Sequence, residues 1–217
     1  MYAVRGKLLS VDLNTKSCVI EAVPEHFYRK YLGGYGLGAA LLLERMDPAC
    51  DPLGPENILG FAAGYLTGTG AYIASRFMVF GKSPSTAGWG DANWAHVLNS
   101  AGLCLLGYAI LSYKTLPDFL KAADGTDWTL EELEEVGRRL TLVRQIFNAK
   151  AGWSVDRCDF PERVLGNPPL DSGETKGVTV DLQTMVKEYI KHEDLDPSTG
   201  LPSREVLEAL DLAHFLV

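Results

Sequence analysis

The chain has 217 residues, of which 47% are hydrophobic and 22% charged, and its mean hydropathy is close to zero. These are ordinary globular values, and they exclude disorder, collagen-like repeats and low complexity as its main character. The net charge of −8 is uneven: residues 1–100 hold eight Lys/Arg and eight Asp/Glu, whereas residues 101–217 hold twelve and twenty, an acidic half with no basic stripe that argues against a nucleic-acid partner.

The N-terminal stretch MYAVRGKLLSVDL alternates and carries Arg5, Lys7 and Asp12, unlike a signal peptide, so the cytoplasm is the expected compartment. Val4 to Leu13 and Ser17 to Val23 read as a hairpin closed at Asn14-Thr15. Pro24-Glu25 opens a short helix, His26 to Leu32, because proline tolerates the first turn and glutamate favours the positive end of the helix dipole. Gly33-Gly34 is expected to stop it. A second helix, Leu37 to Met46, ends at Asp47-Pro48. Asn57 to Ala63 and Tyr72 to Phe80 read as buried strands among glycine turns; fourteen of the twenty-two glycines lie between Gly33 and Gly107.

The second half reads as helices. Thr129 and Glu132 form a capping box at the head of Leu130 to Ala149, where Leu133, Val136, Leu140, Val143, Ile146 and Phe147 mark one apolar face. Pro161 to Gly177 is a Pro/Gly-rich linker. Further helices are expected from Val180-Asp181 to Lys191 and, capped by Ser203, from Arg204 to Leu210. The longest nearly apolar run, Ala101 to Leu111, is too short to span a bilayer, so no membrane association is expected. The fold class is α+β: a mixed or antiparallel β-rich part over residues 1–95 with short helices, then a mainly helical part over 96–217.

Gly34-Tyr35-Gly36-Leu37-Gly38-Ala39 fits G-x-G-x-x-A, but a dinucleotide fingerprint needs a preceding strand, and here a helix precedes it. A glycine break between helices is the favoured reading. Thr67-Gly68-Thr69-Gly70 and Lys82 to Thr86 are hydroxyl-rich loops that read either as surface turns or as anion nests aided by Lys82 or Arg76. Gly88-Trp89-Gly90-Asp91-Ala92-Asn93 is either an Asx-type turn or a flat-ligand contact. Asn99-Ser100-Ala101-Gly102-Leu103-Cys104 reads as a helix start with a packed thiol. The four cysteines, Cys18, Cys50, Cys104 and Cys158, form no C-x-x-C pair, so their spacing shows no self-contained metal site. No histidine pair shares a helix face.

The combination of KYLGGYGLGAALLLERMDP, PLGPEN, LTGTGA, GKSP and GWGDAN, from Lys30 to Asn93, resembles the start of the aldehyde:ferredoxin oxidoreductases, most closely their bacterial branch. Asn99 to Cys104 resembles the family's late D-x-x-G-L-C segment. Leu140 to Gly152, PERVLGNPPL and the segment from Gly177 to Leu212 resemble its far C-terminal part. The resemblance implies an internally shortened chain whose two ends join near residue 95, at Trp94-Ala95-His96-Val97. The stretch between them in the family holds a C-x-x-C-x-x-x-C triplet, a second pterin-binding segment and the acid/base residues.

The family resemblance implies a tungsten bis-pterin cofactor and a [4Fe–4S] cluster. It also implies oxidation of an aldehyde to a carboxylate, with electrons passing to ferredoxin or an electron-transfer subunit. Carried onto this sequence, Arg76, Asp91, Ala92 and Asn93 match cofactor contacts of the first domain. Gly102 and Leu103 match a backbone contact to the pterin, Asn99 stands where the family has Asp, and Cys104 matches one cluster ligand. No catalytic acid or base is assigned. One thiolate does not hold a cubane that takes four, so independent turnover is not expected. The alternative is a non-catalytic remnant, or an accessory or split subunit, that binds a cofactor surface, a full-length family partner or a second copy of itself.

Overall fold

A computed structural model of the chain describes residues 6–71, 74–82, 93–104, 113–154 and 160–216. The architecture is α+β, with two antiparallel two-stranded sheets and seven α-helices among the described residues. Two compact units emerge, residues 1–144 and 145–217, and the division falls inside one long helix. No helix among the described residues is long and apolar enough to cross a membrane.

The first unit opens with the expected hairpin, β1 (Lys7–Asp12) and β2 (Ser17–Ala22), in the register Leu9 opposite Ile20. Asp12 closes the turn by accepting from the backbone N–H groups of Asn14 and Thr15 at 2.8 and 3.1 Å. Helix α1 (Glu25–Tyr31) follows with Pro24 at its N-cap, and α2 runs over Gly34–Arg45. The break between them differs from the expectation. Leu32 takes a positive φ of 62° as the C-cap of α1, Gly33 is the extended N-cap of α2, and Gly34 takes a positive φ of 44° as the first residue of α2. Glycine is needed there for proximity: a Cβ on Gly33 would lie 3.0 Å from Tyr65 N and 3.1 Å from Ser100 O, and one on Gly36 would overlap Tyr31 O and Leu140.

Strands β3 (Gly60–Ala63) and β4 (Phe77–Phe80) pair with Phe61 opposite Val79. Their inner side turns Phe80 against Gly38 and Gly60, where a Cβ would meet the ring. Asn57 of PLGPEN and Lys82 of GKSP hold this sheet to the chain before it. Asn57 Nδ2 donates to Pro52 O and Lys82 O at 2.7 and 3.0 Å, and its Oδ1 accepts from Lys82 N at 3.1 Å. Lys82 Nζ is buried and donates to the carbonyls of Pro48 and Cys50 at 2.6 and 2.8 Å. Lys82 is therefore a loop clamp, and the anion-nest reading loses one of its two cations, leaving Arg76.

Helix α3 (Asn93–Ala101) and helix α4 (Leu116–Asp124) precede α5 (Leu130–Lys150). The capping box of α5 forms in both directions: Thr129 N donates to Glu132 Oε2 at 2.8 Å and Glu132 N to Thr129 Oγ1 at 3.1 Å. Leu133, Val136, Leu140 and Val143 are buried, as the three-and-four spacing predicts. Arg139 Nη1 donates to Lys30 O at 3.1 Å, which satisfies a carbonyl at the end of α1.

In the second unit, Asp181 caps α6 (Leu182–His192) by accepting from Thr184 N, and Ser203 caps α7 (Arg204–Ala209) by accepting from Val206 N. Ile146, Phe147, Leu195, Leu207, Leu210, Leu212 and Phe215 are its buried apolar residues. Gln145 Nε2 donates to Gly200 O at 2.8 Å and ties the loop before α7 to α5.

One ion pair fastens the opening hairpin to α2. Arg45 grips Glu21 through both guanidinium nitrogens, at 2.9 and 2.8 Å, and Nη1 also donates to Ser10 Oγ at 3.0 Å. The hydrogen bonds from Arg45 and then Ser10 hold the Glu21 carboxyl at about 2. A carboxylate lowered by folding contributes stability above its unfolded value, and that contribution fades as pH falls toward the folded value. Amide-exchange protection in β1 and β2 is therefore expected to drop between pH 4.5 and about 2, ahead of α5. In Glu21→Gln the hairpin should already be less protected at pH 7, with that acid step gone; an unchanged acid profile would rule out this fastening.

Candidate functional site

The site is built around the C-terminus of α3. The last four carbonyls of a helix lack intrahelical partners, and here each finds one. Gly102 takes a left-handed φ of 86° and closes a Schellman turn: Leu103 N donates to Leu98 O and Gly102 N to Asn99 O, both at 2.9 Å. The next two carbonyls leave the helix. Tyr65 N donates to Ser100 O at 2.9 Å and Leu66 N to Ala101 O at 2.8 Å. Residues 98–104 are thus the end of a helix, not the start that the sequence suggested, because a glycine followed by an apolar residue is a helix-stop pattern.

The loop before β4 completes the join. Arg76 N donates to Gly102 O at 3.2 Å, and Arg76 O accepts from Gly64 N at 3.2 Å and from Thr67 Oγ1 at 2.8 Å. Gly64 and Gly102 touch backbone to backbone, so a Cβ on Gly64 would overlap Gly102 Cα and N. From the other side, Gly36 N at the head of α2 donates to Ser100 Oγ at 3.1 Å. Of the hydroxyls of LTGTGA, that of Thr69 stays inside the turn, on Leu66 O at 2.7 Å, and that of Thr67 leaves it for Arg76 O.

This arrangement brings Arg76 and Cys104 together, although they are 28 residues apart: Arg76 Nη2 donates to Cys104 Sγ at 3.3 Å. Both are half-buried. Asn99 is buried, and its Oδ1 finds no hydrogen-bond partner among the described residues. A buried acceptor without a donor is costly, and a ligand N–H in that place would relieve the cost. Gly102 and Leu103 are buried beside it. Asn93 is the first residue of α3; Asp91, Ala92 and Cys158 lie outside the described residues.

Two neighbouring groups had no sequence signal. His96, on the α3 turn before Asn99, is buried, stacks edge-on to Tyr35 and contacts the Arg144 guanidinium closely. Tyr65 donates to Asp124, a short contact across 59 residues. Burial, and then that bond, push the Tyr65 hydroxyl well above its ordinary value. Burial also raises Asp124, but hydrogen bonds from Tyr65 and Thr126 outweigh it and leave the carboxyl lowered. The signal for this pair lies in long-range packing, which periodicity does not carry.

The three thiols of the described residues do not assemble into a cluster site. Cys18 is exposed on β2, Cys50 is buried after α2, and no group of three or more His, Cys, Asp or Glu able to hold a metal occurs among the described residues. The described residues offer one thiol at the α3 terminus, which does not fit a cubane with four thiolate ligands.

Comparisons with known proteins bear on this constellation. Residues 8–111 match the N-terminal domain of aldehyde ferredoxin oxidoreductase, and residues 74–212 match its domains 2 and 3. The α3 terminus lies where the two matches overlap. Tungsten-containing aldehyde ferredoxin oxidoreductases of Pyrococcus horikoshii and Thermococcus kodakarensis are each 46% identical over 86 residues, covering 40% of this chain and 14% of theirs. The WOR-like subunit of an aliphatic sulfonate oxidoreductase of Pyrococcus furiosus is 37% identical over 91 residues, 41% of this chain and 14% of its own. The matched stretch thus spans about a seventh of these relatives. Among solved structures, an active-site complex of benzoyl-coenzyme A reductase with 1,5-dienoyl-CoA matches 47% of this chain and 16% of its own at 39% identity, with a TM-score of 0.40.

The Gly64–Gly102 contact yields a stability prediction. Gly64→Ala sets a methyl against backbone that cannot rotate away, so it should cost about 3 kcal/mol and lower Tm by roughly 6–12 °C. Gly68→Ala has open space but φ of 83°, and should cost about 1 kcal/mol. Equal losses in thermal melts of the two variants would refute the close approach as the cause.

Proposed function

The chain belongs to the aldehyde ferredoxin oxidoreductase family, and from that membership we propose that it serves as the cofactor-facing part of a tungsten-pterin oxidoreductase and completes its site with thiolates from another polypeptide. The observation that carries this reading is the α3 terminus, which gathers Arg76, Asn99, Gly102, Leu103 and Cys104 on two rigid, mutually hydrogen-bonded segments. The relatives' names give tungsten and aldehyde chemistry; the pterin, the cluster and the electron acceptor come with the family resemblance.

The residues present fit a pterin. The Arg76 guanidinium is a planar, permanently charged donor suited to phosphate or ring oxygens. Asn99 Oδ1 is an acceptor awaiting a donor, which a pterin amino group would supply. Asn99 lacks the charge of the family's Asp, so this bond is weaker than its charge-assisted counterpart. Asp91, Ala92 and Asn93 are the remaining cofactor contacts in the proposal. When bound, the tungsten-pterin group supplies the redox chemistry that converts an aldehyde to a carboxylate. Cys104 would supply one cluster thiolate, held beside Arg76. No proton donor or acceptor for the substrate is assigned.

The second reading is a non-catalytic accessory subunit that keeps the same surface to bind a full-length family chain. It is favoured by the single thiol, since oxidation without the other ligands has no electron exit. Ferredoxin or an equivalent electron-transfer protein is the proposed partner under the first reading, and the cytoplasm is the proposed compartment under both.

Metal and pterin analysis of the anaerobically purified chain separates them. Iron should lie far below the four atoms per chain of a complete cubane; iron near four, with a cubane EPR signal on reduction, would overturn the shared-cluster reading. Tungsten and pterin should be retained and should fall on Arg76→Ala at unchanged Tm. Unaltered occupancy in that variant removes the role given to Arg76, and a wild-type chain empty of both supports the accessory subunit.

A further inference from the structure

Tyr65 follows β3 and is buried. Its backbone N–H donates to Ser100 O at the end of α3, and its hydroxyl donates to Asp124 Oδ2 at the end of α4. Its ring meets Tyr28 of α1 edge-on, with centroids 6.3 Å apart. One residue thus bears on three helices from a segment with no regular structure of its own.

Packing alone does not call for the Tyr65–Asp124 bond. A phenylalanine would fill nearly the same space and bring no buried hydroxyl to satisfy. The acceptor also stands against a local preference. Asp124 is the last residue of α4, where the helix dipole favours a cation and opposes a carboxylate. The cation of that turn, Lys121, pairs instead with Asp127 at 2.6 Å. Asp124 Oδ1 accepts from Thr126 N at 2.8 Å, and Oδ2 is taken by Tyr65. A pair kept against a local rule points to a role beyond its own helix.

The neighbours of Tyr65 carry that role to the candidate site. Gly64 N donates to Arg76 O at 3.2 Å, and Gly64 lies backbone to backbone against Gly102. Leu66 N holds Ala101 O at 2.8 Å. The 64–66 segment therefore has no slack, and a shift of the Tyr65 ring moves the backbone from which Arg76 extends. We propose that Tyr65, pinned by Asp124, is a positioning residue that sets Arg76 in its place beside Cys104. The proposal takes its functional meaning from the reading of the α3 terminus as the cofactor face.

Backbone amide exchange and side-chain NMR of the full chain test it. In Tyr65→Phe and in Asp124→Ala, the N–H groups of positions 65, 66 and 76 should exchange at least about tenfold faster than in the wild type. The Arg76 Nε–H resonance should move in the same two variants. Asp124→Asn keeps an acceptor oxygen for the hydroxyl, so its exchange should stay within about threefold of the wild type. The amides of Leu140 and Val143 in α5 should be unchanged in all three, which separates local positioning from a general loss of stability. No acceleration at positions 65, 66 and 76, equal acceleration at Leu140 and Val143, an unmoved Arg76 resonance, or Asp124→Asn behaving as Asp124→Ala would overturn the proposal. Neither readout depends on bound cofactor, so a wild type empty of tungsten and pterin sinks the cofactor reading and leaves this one to the exchange data.

Discussion

The first unit depends on how α3 ends. A helix terminus buried against other elements must find partners for four carbonyls, and an interior without water makes each omission costly. Two are closed by the turn at Gly102 and two by the N–H groups of Tyr65 and Leu66. This division has a geometric consequence. The 64–66 segment must approach to hydrogen-bonding distance, which leaves no room for a Cβ at Gly64, and Arg76 is then held by its own backbone bonds to Gly102 and Gly64. The Arg76–Cys104 contact is therefore a product of main-chain bonding, and neither side chain has to create it.

The same close approach explains the glycines of α2. A G-x-G-x-x-A pattern invites a dinucleotide reading, yet here the residues serve packing. Gly33 and Gly34 admit the backbone of Ser100 and Asn99, Gly36 admits Tyr31 and Leu140, and Gly38 admits the ring of Phe80. A substitution at Gly33 or Gly34 would press on the α3 terminus that carries the candidate site. Part of the glycine clustering after residue 33 therefore reflects close approach, to backbone at Gly33, Gly34 and Gly64 and to the Phe80 ring at Gly38 and Gly60.

Elements governed by local rules were legible from the sequence: the hairpin with its Asn14-Thr15 turn, the capping box of α5 with its apolar face, and the caps Asp181 and Ser203. What escaped was set by long-range packing. Helix α4 went unread although Leu116 and Leu120 recur at a spacing of four on its buried side, because it is short and opens at Leu116-Pro117, and the positive φ of Leu32 had no local signal. Lys82 looked like an exposed cation in a serine loop, but the carbonyls of Pro48 and Cys50 draw it inward. Of the candidate site, motif resemblance located Arg76, Asn99 and the segment to Cys104. The unsatisfied Asn99 acceptor and the Tyr65–Asp124 bond required coordinates.

Two features of the first unit point the same way from independent physics. Among the described residues the α3 terminus offers one thiol, too few ligands for a cluster, and a sheet apolar on both sides has too few faces covered by described residues for its composition. One concerns coordination number and the other concerns hydration, and neither follows from the other. Polar or charged side chains at positions 59, 61, 77 and 79 would make the sheet face solvent-compatible without disturbing Phe80 or Met78 on the inner side. Their apolar identity is therefore not explained by packing among the described residues. A surface kept apolar where the described packing does not require it is the kind of surface that something covers.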